Sequence, residues 1–209
     1  MLRDKLNFIH RFYEAAGQPF TEAIRKIENH EEPYVAHGEP LNDEPPFLTE
    51  WQEAKESLNI LGQSCLCLAQ TSLKDFLVAF VERSGKNFPA KERGESWFDA
   101  FQRFFLKEYG IDWTKTGVDL GVLEQINLAR NDIQHEGRPY DLARVQDKRH
   151  TQRFPNSIFA SELDKAIFRE FSTHQPCRID LTPEGLAQGL EIIEQFCLRI
   201  EEHGKQAPA

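Results

Sequence analysis

The run from Thr49 to Gly85 constrains this chain most. Apolar side chains recur through Leu58, Leu61, Cys65, Leu68, Ala69, Leu73, Phe76, Leu77 and Phe80. Spacings of three and four put them on one side of an α-helix. Thr49 and Gln52 have the spacing of a capping box, which predicts the start there. Ser84-Gly85 supplies a left-handed stop at the other end. About 35 helical residues at 1.5 Å each make a rod of roughly 50 Å, long enough to be the spine of a bundle.

The rest of the chain reads as helices to pack around that spine. Leu2, Leu6, Phe8, Ile9, Phe12 and Tyr13 predict a first helix that stops at Gly17, with a short second helix over residues 21–29 capped by Thr21. Residues 31–47 carry Pro33, Pro40, Pro45, Pro46 and Gly38 and read as a proline-rich acidic loop. Ser96 starts a helix bearing Trp97, Phe98, Phe101, Phe104, Phe105 and Tyr109 before Gly110. Their spacing is that of one buried face, so this aromatic stripe reads as core rather than as a binding platform. A helix over 119–135 is closed by Gly137, and 138–160 read as a basic polar loop. Residues 161–171 are helical, 177–181 a short extended piece, and Thr182-Pro183 begins a last helix to about 202. The expected architecture is all-α, an up-and-down helical bundle of about five to seven helices with a long central helix, in a single domain over 1–209.

Composition narrows the function. The chain has 209 residues, 34 acidic against 25 basic, with a formal net charge of −9, which argues against coating nucleic acid non-specifically. The charge is uneven. Residues 28–50 hold seven acidic side chains and no Lys or Arg, whereas 138–153 hold Arg138, Arg144, Lys148, Arg149 and Arg153 against Asp141 and Asp147. No uninterrupted apolar window reaches about 18 residues and the start has no signal-peptide core, so the expectation is a cytoplasmic protein without a membrane role. Cys65, Cys67, Cys177 and Cys197 lack CxxC or zinc-ligand spacing and read as buried reduced thiols, with no metal and no cofactor expected.

One segment carries chemistry: Asn127-Leu128-Ala129-Arg130-Asn131-Asp132-Ile133-Gln134-His135-Glu136-Gly137. Other Arg and His residues have similar separations, as in Arg3/His10, Arg25/His30, Arg144/His150 and Arg169/His174. Only Arg130/His135 adds a polar Asn after the Arg and a place at the C-terminal end of a well-marked helix. At 100° per residue, Ile126, Ala129 and Ile133 form one stripe with Val122 beside it, and Arg130 lies about 40° from Ile126. Asn131 and His135 share a second face, His135 about 180° from Ile126, with Leu120 and Leu128 near it. That second face calls for another packing partner, which a two-fold dimer supplies.

The segment resembles the Arg-x4-6-His motif of the HEPN superfamily, whose form commonly carries Asn, Asp or His after the Arg. The likeness covers about eleven residues as sequence and about 50–200 as helical architecture. It implies a metal-independent endoribonuclease of defence, stress response or a toxin–antitoxin pair, with RNA as substrate. It also implies a homodimer through the Arg130–His135 helix and an antitoxin protein as a further partner. Arg130 then meets phosphate charge with its planar fork, His135 handles protons near neutral pH, and Asn131 orients the ring or contacts the backbone. The products carry 2′,3′-cyclic phosphate ends. Arg138, Lys148, Arg149 and Arg153 are candidates for holding the RNA backbone. Gly137 stands where some HEPN toxins carry a tyrosine, which speaks against control by tyrosine nucleotidylation.

Each residue alone has a plainer reading. Arg130 could pair with Asp132 or Glu124, and His135 suits a helix C-terminus through the macrodipole. The rival function is a non-catalytic α-helical interaction module of the same fold, motivated by the net charge and the acidic 28–50 segment.

Overall fold

The computed structural model describes residues 2–35, 45–87, 90–135, 145–171 and 177–206. Among them lie seven α-helices: α1 (Leu2–Glu28), α2 (Leu48–Arg83), α3 (Trp97–Tyr109), α4 (Leu120–His135), α5 (Lys148–Arg153), α6 (Glu162–Phe171) and α7 (Pro183–Gln206). A single 3-10 turn, Trp113–Lys115, links α3 to α4. Strand structure among these residues is limited to two isolated antiparallel bridges, Val145 with Arg178 and Ala160 with Ile179. The fold is thus an all-α bundle, and the 36-residue α2 is its centre, with α1, α4 and α7 packed against it.

Why α2 sits there follows from its sides. Cys65, Leu66, Ala69, Leu73, Leu77 and Val81 are almost fully buried, and Phe80 packs on Phe105 of α3 with ring centroids 5.2 Å apart. By length and composition α2 could also cross a bilayer. In this fold one side of α2 is spent on other helices, with Asn59, Gln63 and Gln70 buried among them, while Ile60 and Leu68 stay exposed.

Two expected helix boundaries are corrected. No break follows Gly17: α1 runs on through Gly17 and Pro19 to Glu28. Gly17 is buried, and a Cβ there would lie 2.9 Å from Leu58 Cδ1. The glycine serves close approach of α1 to α2 rather than termination, and Pro19 forgoes one backbone hydrogen bond inside a helix held by packing. At the start of α2 the expected Thr49–Gln52 capping box is absent. The helix begins two residues earlier, and its N-cap is Phe47 in the left-handed region (φ 62°) without a side-chain cap. Phe47 instead packs edge-on against Tyr34, with centroids 5.4 Å apart.

Elsewhere the local signals hold. Ser96 and Asp99 form a capping box on α3, and Gly110 closes it with φ 67°. Phe98, Phe101, Phe104 and Phe105 are core residues around the fully buried Trp113. Thr182 Oγ1 accepts the Gly185 amide at the start of α7. The four cysteines are free; Cys65, Cys177 and Cys197 are buried. Burial pushes the Cys65 thiol up to about 11 and that of Cys197 well above its ordinary value.

Residues 145–160 do not form the solvated polar loop expected of 138–160. They contain α5, and Gln146, His150 and Ser157 are wholly buried. Part of this polar stretch is inside and tied to its neighbours: His150 and the Asp147 and Ile158 amides meet α4, and the Gln146 amide meets the Cys177 carbonyl, while the Gln146 side chain is buried without a hydrogen-bond partner. Residues 36–44 of the acidic proline-rich loop lie outside the described residues.

Candidate functional site

Helix α4 begins at Asp119, whose Oδ1 accepts the amides of Gly121 and Val122. Its core stripe is Val122, Leu123, Ile126 and Ala129, all at most 3% exposed. That stripe sets the rotation of the helix and so decides where its polar residues face.

One turn before the motif, buried Asn127 accepts the Trp97 indole N–H at 2.8 Å and the Gln70 side-chain amide at 3.5 Å. Trp97 is half-buried, and Lys74 Nζ lies 6.0 Å from the centroid of its ring. Beyond this closed end, Arg130 and Asn131 are both part-exposed, and Arg130 Nη1 donates to Asn131 Oδ1 at 3.0 Å. Arg130 Nε is buried without a hydrogen-bond partner. Its charge lies near enough to Cys67 on α2 to oppose the upward push that burial gives this thiol.

On the α2 side, Ile133 and Gln134 line a groove of about 590 Å³ with Ile60, Gln63, Ser64, Cys67, Leu68 and Thr71. On the other side stands α5. Asp132 Oδ2 takes the Nδ1–H of His150 at 2.7 Å and the Asp147 amide at 3.3 Å. Glu124 takes Arg153 at 2.7 Å. Burial raises the Glu124 pKa, against the opposing pull of Arg153.

Both carboxylates that the sequence offered to Arg130 are therefore engaged elsewhere, and Arg130 has no carboxylate partner among the described residues. Glu124, Leu128, Asp132 and His135 share one side of α4. At Glu124 and Asp132 that side is covered by this chain's own α5. The second packing partner inferred from the sequence is thus, at those two positions, intramolecular.

The other sequence-derived residues are placed as follows. His135 is the last residue of α4, its side chain outside the described residues. Lys148 and Arg149 lie in the first turn of α5, also with undescribed side chains, and Arg153 is exposed at its end. Arg138 and Gly137 fall outside the described residues. Among the described residues no His, Cys, Asp and Glu cluster could hold a metal ion. The sequence reading missed Lys74, Trp97, Asp132 and His150. Of these only His150 carried a signal, an Asp147 three residues before it that caps α5.

A strip of α4 carrying Arg130 and Asn131 thus lies between the α2 groove and α5, stopped at one end by Asn127 and Trp97. Such a strip offers a delocalised cation and an amide to an anion. Comparison with family models, with curated proteins and with solved structures finds no match.

Proposed function

We propose that this protein is a cytoplasmic, metal-independent endoribonuclease of the HEPN type, with Arg130, Asn131 and His135 as its catalytic residues. The observation that carries the reading is the part-exposed Arg130–Asn131 pair, about one turn from the end of α4, whose neighbouring carboxylates are bound to Arg153 and His150. An arginine without a carboxylate partner among the described residues, in an acidic protein, is suited to phosphate.

In the proposed reaction His135 takes the ribose 2′-OH proton and the 2′-oxygen attacks phosphorus. The P–O5′ bond breaks, and the 5′-oxygen leaves with the proton that the His135 imidazolium gives back. Arg130 meets the charge on the phosphoryl oxygens, and Asn131 holds Arg130 and contacts the backbone. Lys74 and Trp97 offer a cation and a part-exposed ring where neighbouring nucleotides would pass.

A homodimer belongs to the same proposal. Exposed Phe8, Phe12, Ile60 and Leu68 form an apolar face on α1 and α2, and Leu68 also lines the groove that reaches Ile133 and Gln134. A second copy on that face would bring two Arg130 strips towards each other. The same apolar face favours the alternative reading, a non-catalytic module that docks another protein such as an antitoxin.

Labelled single-stranded RNA, incubated in EDTA with wild type, Arg130→Ala and His135→Ala, tests the proposal. Wild type should cut and leave 2′,3′-cyclic phosphate ends, and each variant should lose about 10²–10⁴-fold in rate. A folded wild type that leaves RNA intact, or a fully active His135→Ala, overturns it.

A further inference from the structure

We propose that the buried Asp132–His150 pair is a latch that seats basic helix α5 on the side of α4 that carries Glu124, Asp132 and His135, making Asp132 and His150 positioning residues for the RNA backbone. The RNA role rests on the ribonuclease reading; the latch itself does not.

Helix α5 has six residues, far too few to hold together as an isolated helix in water. Its place depends on tethers. The exposed tether is Arg153 to Glu124, which solvent weakens. The chain entering α5 is held by the Gln146 amide on the Cys177 carbonyl and the Val145–Arg178 bridge, and the buried side-chain tether is Asp132. Its Oδ2 receives the imidazole Nδ1–H and the Asp147 amide together, while Asp147 Oδ1 accepts the His150 amide at 2.6 Å. One carboxylate on α4 therefore orients both the first turn of α5 and the ring that α5 sends inward.

The His150 side chain is 0% exposed and packs edge-on against Phe154, centroids 6.1 Å apart. Its Nε2 has no hydrogen-bond partner. Asp132 is thus the ring's polar anchor, and without it a buried imidazole would be left unsatisfied. Arg130 and Asn131 do not depend on this pair, because α4 is held by its own core stripe. Opening the latch should move Lys148, Arg149 and Arg153 and leave the catalytic strip in place.

The test compares wild type, Asp132→Ala, Asp132→Asn and Asp147→Ala by amide hydrogen exchange and by binding of a labelled single-stranded RNA across a salt series. Asp147→Ala removes the cap from a half-buried position and loosens α5 more mildly, so the comparison survives if Asp132→Ala folds poorly. In Asp132→Ala and Asp147→Ala, amides of 150–154 should exchange at least about tenfold faster while those of α2 and α7 keep their protection. RNA binding should weaken, and its slope of log affinity against log salt should become shallower by about 1.4, as expected for losing the two cations Lys148 and Arg149 on a single strand, Arg153 being already spent on Glu124. Asp132→Asn keeps an oxygen for the imidazole N–H and should restore most of both. Should wild type cleave, the latch variants should raise KM and keep kcat. Unchanged exchange at α5 overturns the latch. Faster exchange with unchanged RNA affinity and salt slope overturns its role at the site. A wild type that binds no RNA overturns the ribonuclease reading and the RNA role together, and exchange then decides the latch alone.

Discussion

Around Trp113 the helices meet through aromatic and aliphatic surface, whereas at Ile158 and at 177–181 irregular chain is pinned to helices by buried polar side chains. Trp113 packs edge-on against Phe98 and Phe196 and tilted against Phe105, with its own indole N–H buried and unpaired. In the second region Asn59 of α2 donates to the Ile179 carbonyl and accepts the Leu181 amide, and Gln63 donates to the same carbonyl. Gln125 of α4 accepts the Ile158 amide, and Asp132 holds His150. Helices carry their own backbone hydrogen bonds, so apolar complementarity is enough to join them. A segment without a ladder must find partners for its peptide groups in side chains. Apolar contacts tolerate sliding; these polar ones specify register.

The comparison can be broken most forcefully at Trp113. Trp113→Ala should cost about 3–5 kcal/mol in urea unfolding, the range for emptying a large aromatic site in a packed core. A loss below about 1 kcal/mol would mean the aromatic cluster is far looser than its burial indicates.

Asn59→Ala should cost less, about 1–3 kcal/mol, chiefly because the buried Leu181 amide loses its acceptor. Its signature should be local, with the Leu181 amide exchanging faster before global unfolding. Equal acceleration across α2 and α7 would show that the second region has no separate identity.

Arg153→Ala removes an exposed partner of Glu124 and should change stability by no more than about 1 kcal/mol. A larger loss would assign α5 to its surface tether rather than to Asp132.

The smallest effect concerns a third kind of tie, the fork from Arg103 to both oxygens of Glu95 at 2.9 Å each. The Arg103 hydrogen bonds, helped by the Glu92 backbone, lower the Glu95 pKa from 4.5 to about 2. A carboxylate lowered on folding stabilises the native state above its unfolded value. Its contribution should therefore be complete above about 4.5 and fade as pH falls toward 2. NMR titration of Glu95 should show this low midpoint, and Arg103→Ala should raise it toward 4.5, the Glu92 amide still holding it below that value.

How far the sequence could be read follows the same division. The α2 rod, the aromatic face of α3, the Ser96 and Thr182 starts and the Gly110 stop were legible because each rests on residues close together in the chain. Gly17 and Thr49 were misread because their surroundings outweighed local signals: Leu58 makes the glycine a contact, and Phe47 takes the cap. Residues 145–160 looked like solvated loop because a buried histidine or glutamine has the same composition as an exposed one. At the candidate site, the face of α4 carrying Arg130 and Asn131 could be derived from the periodicity of Val122, Ile126 and Ala129. That Glu124 and Asp132 are occupied by Arg153 and His150 could not.

The sequence by itself therefore determined the class of fold, the length of its central helix, most helix ends and the polar residues that leave the core stripe of α4. Periodicity and capping are properties of neighbours in the chain. Only the tertiary structure decided that α1 continues through Gly17, that α5 covers one side of α4, and that Arg130 keeps its charge for something other than Asp132 or Glu124. Those outcomes depend on which distant groups arrive at one place. Pairing a carboxylate with an imidazole 18 residues away is a choice made by packing geometry, which local spacing does not encode.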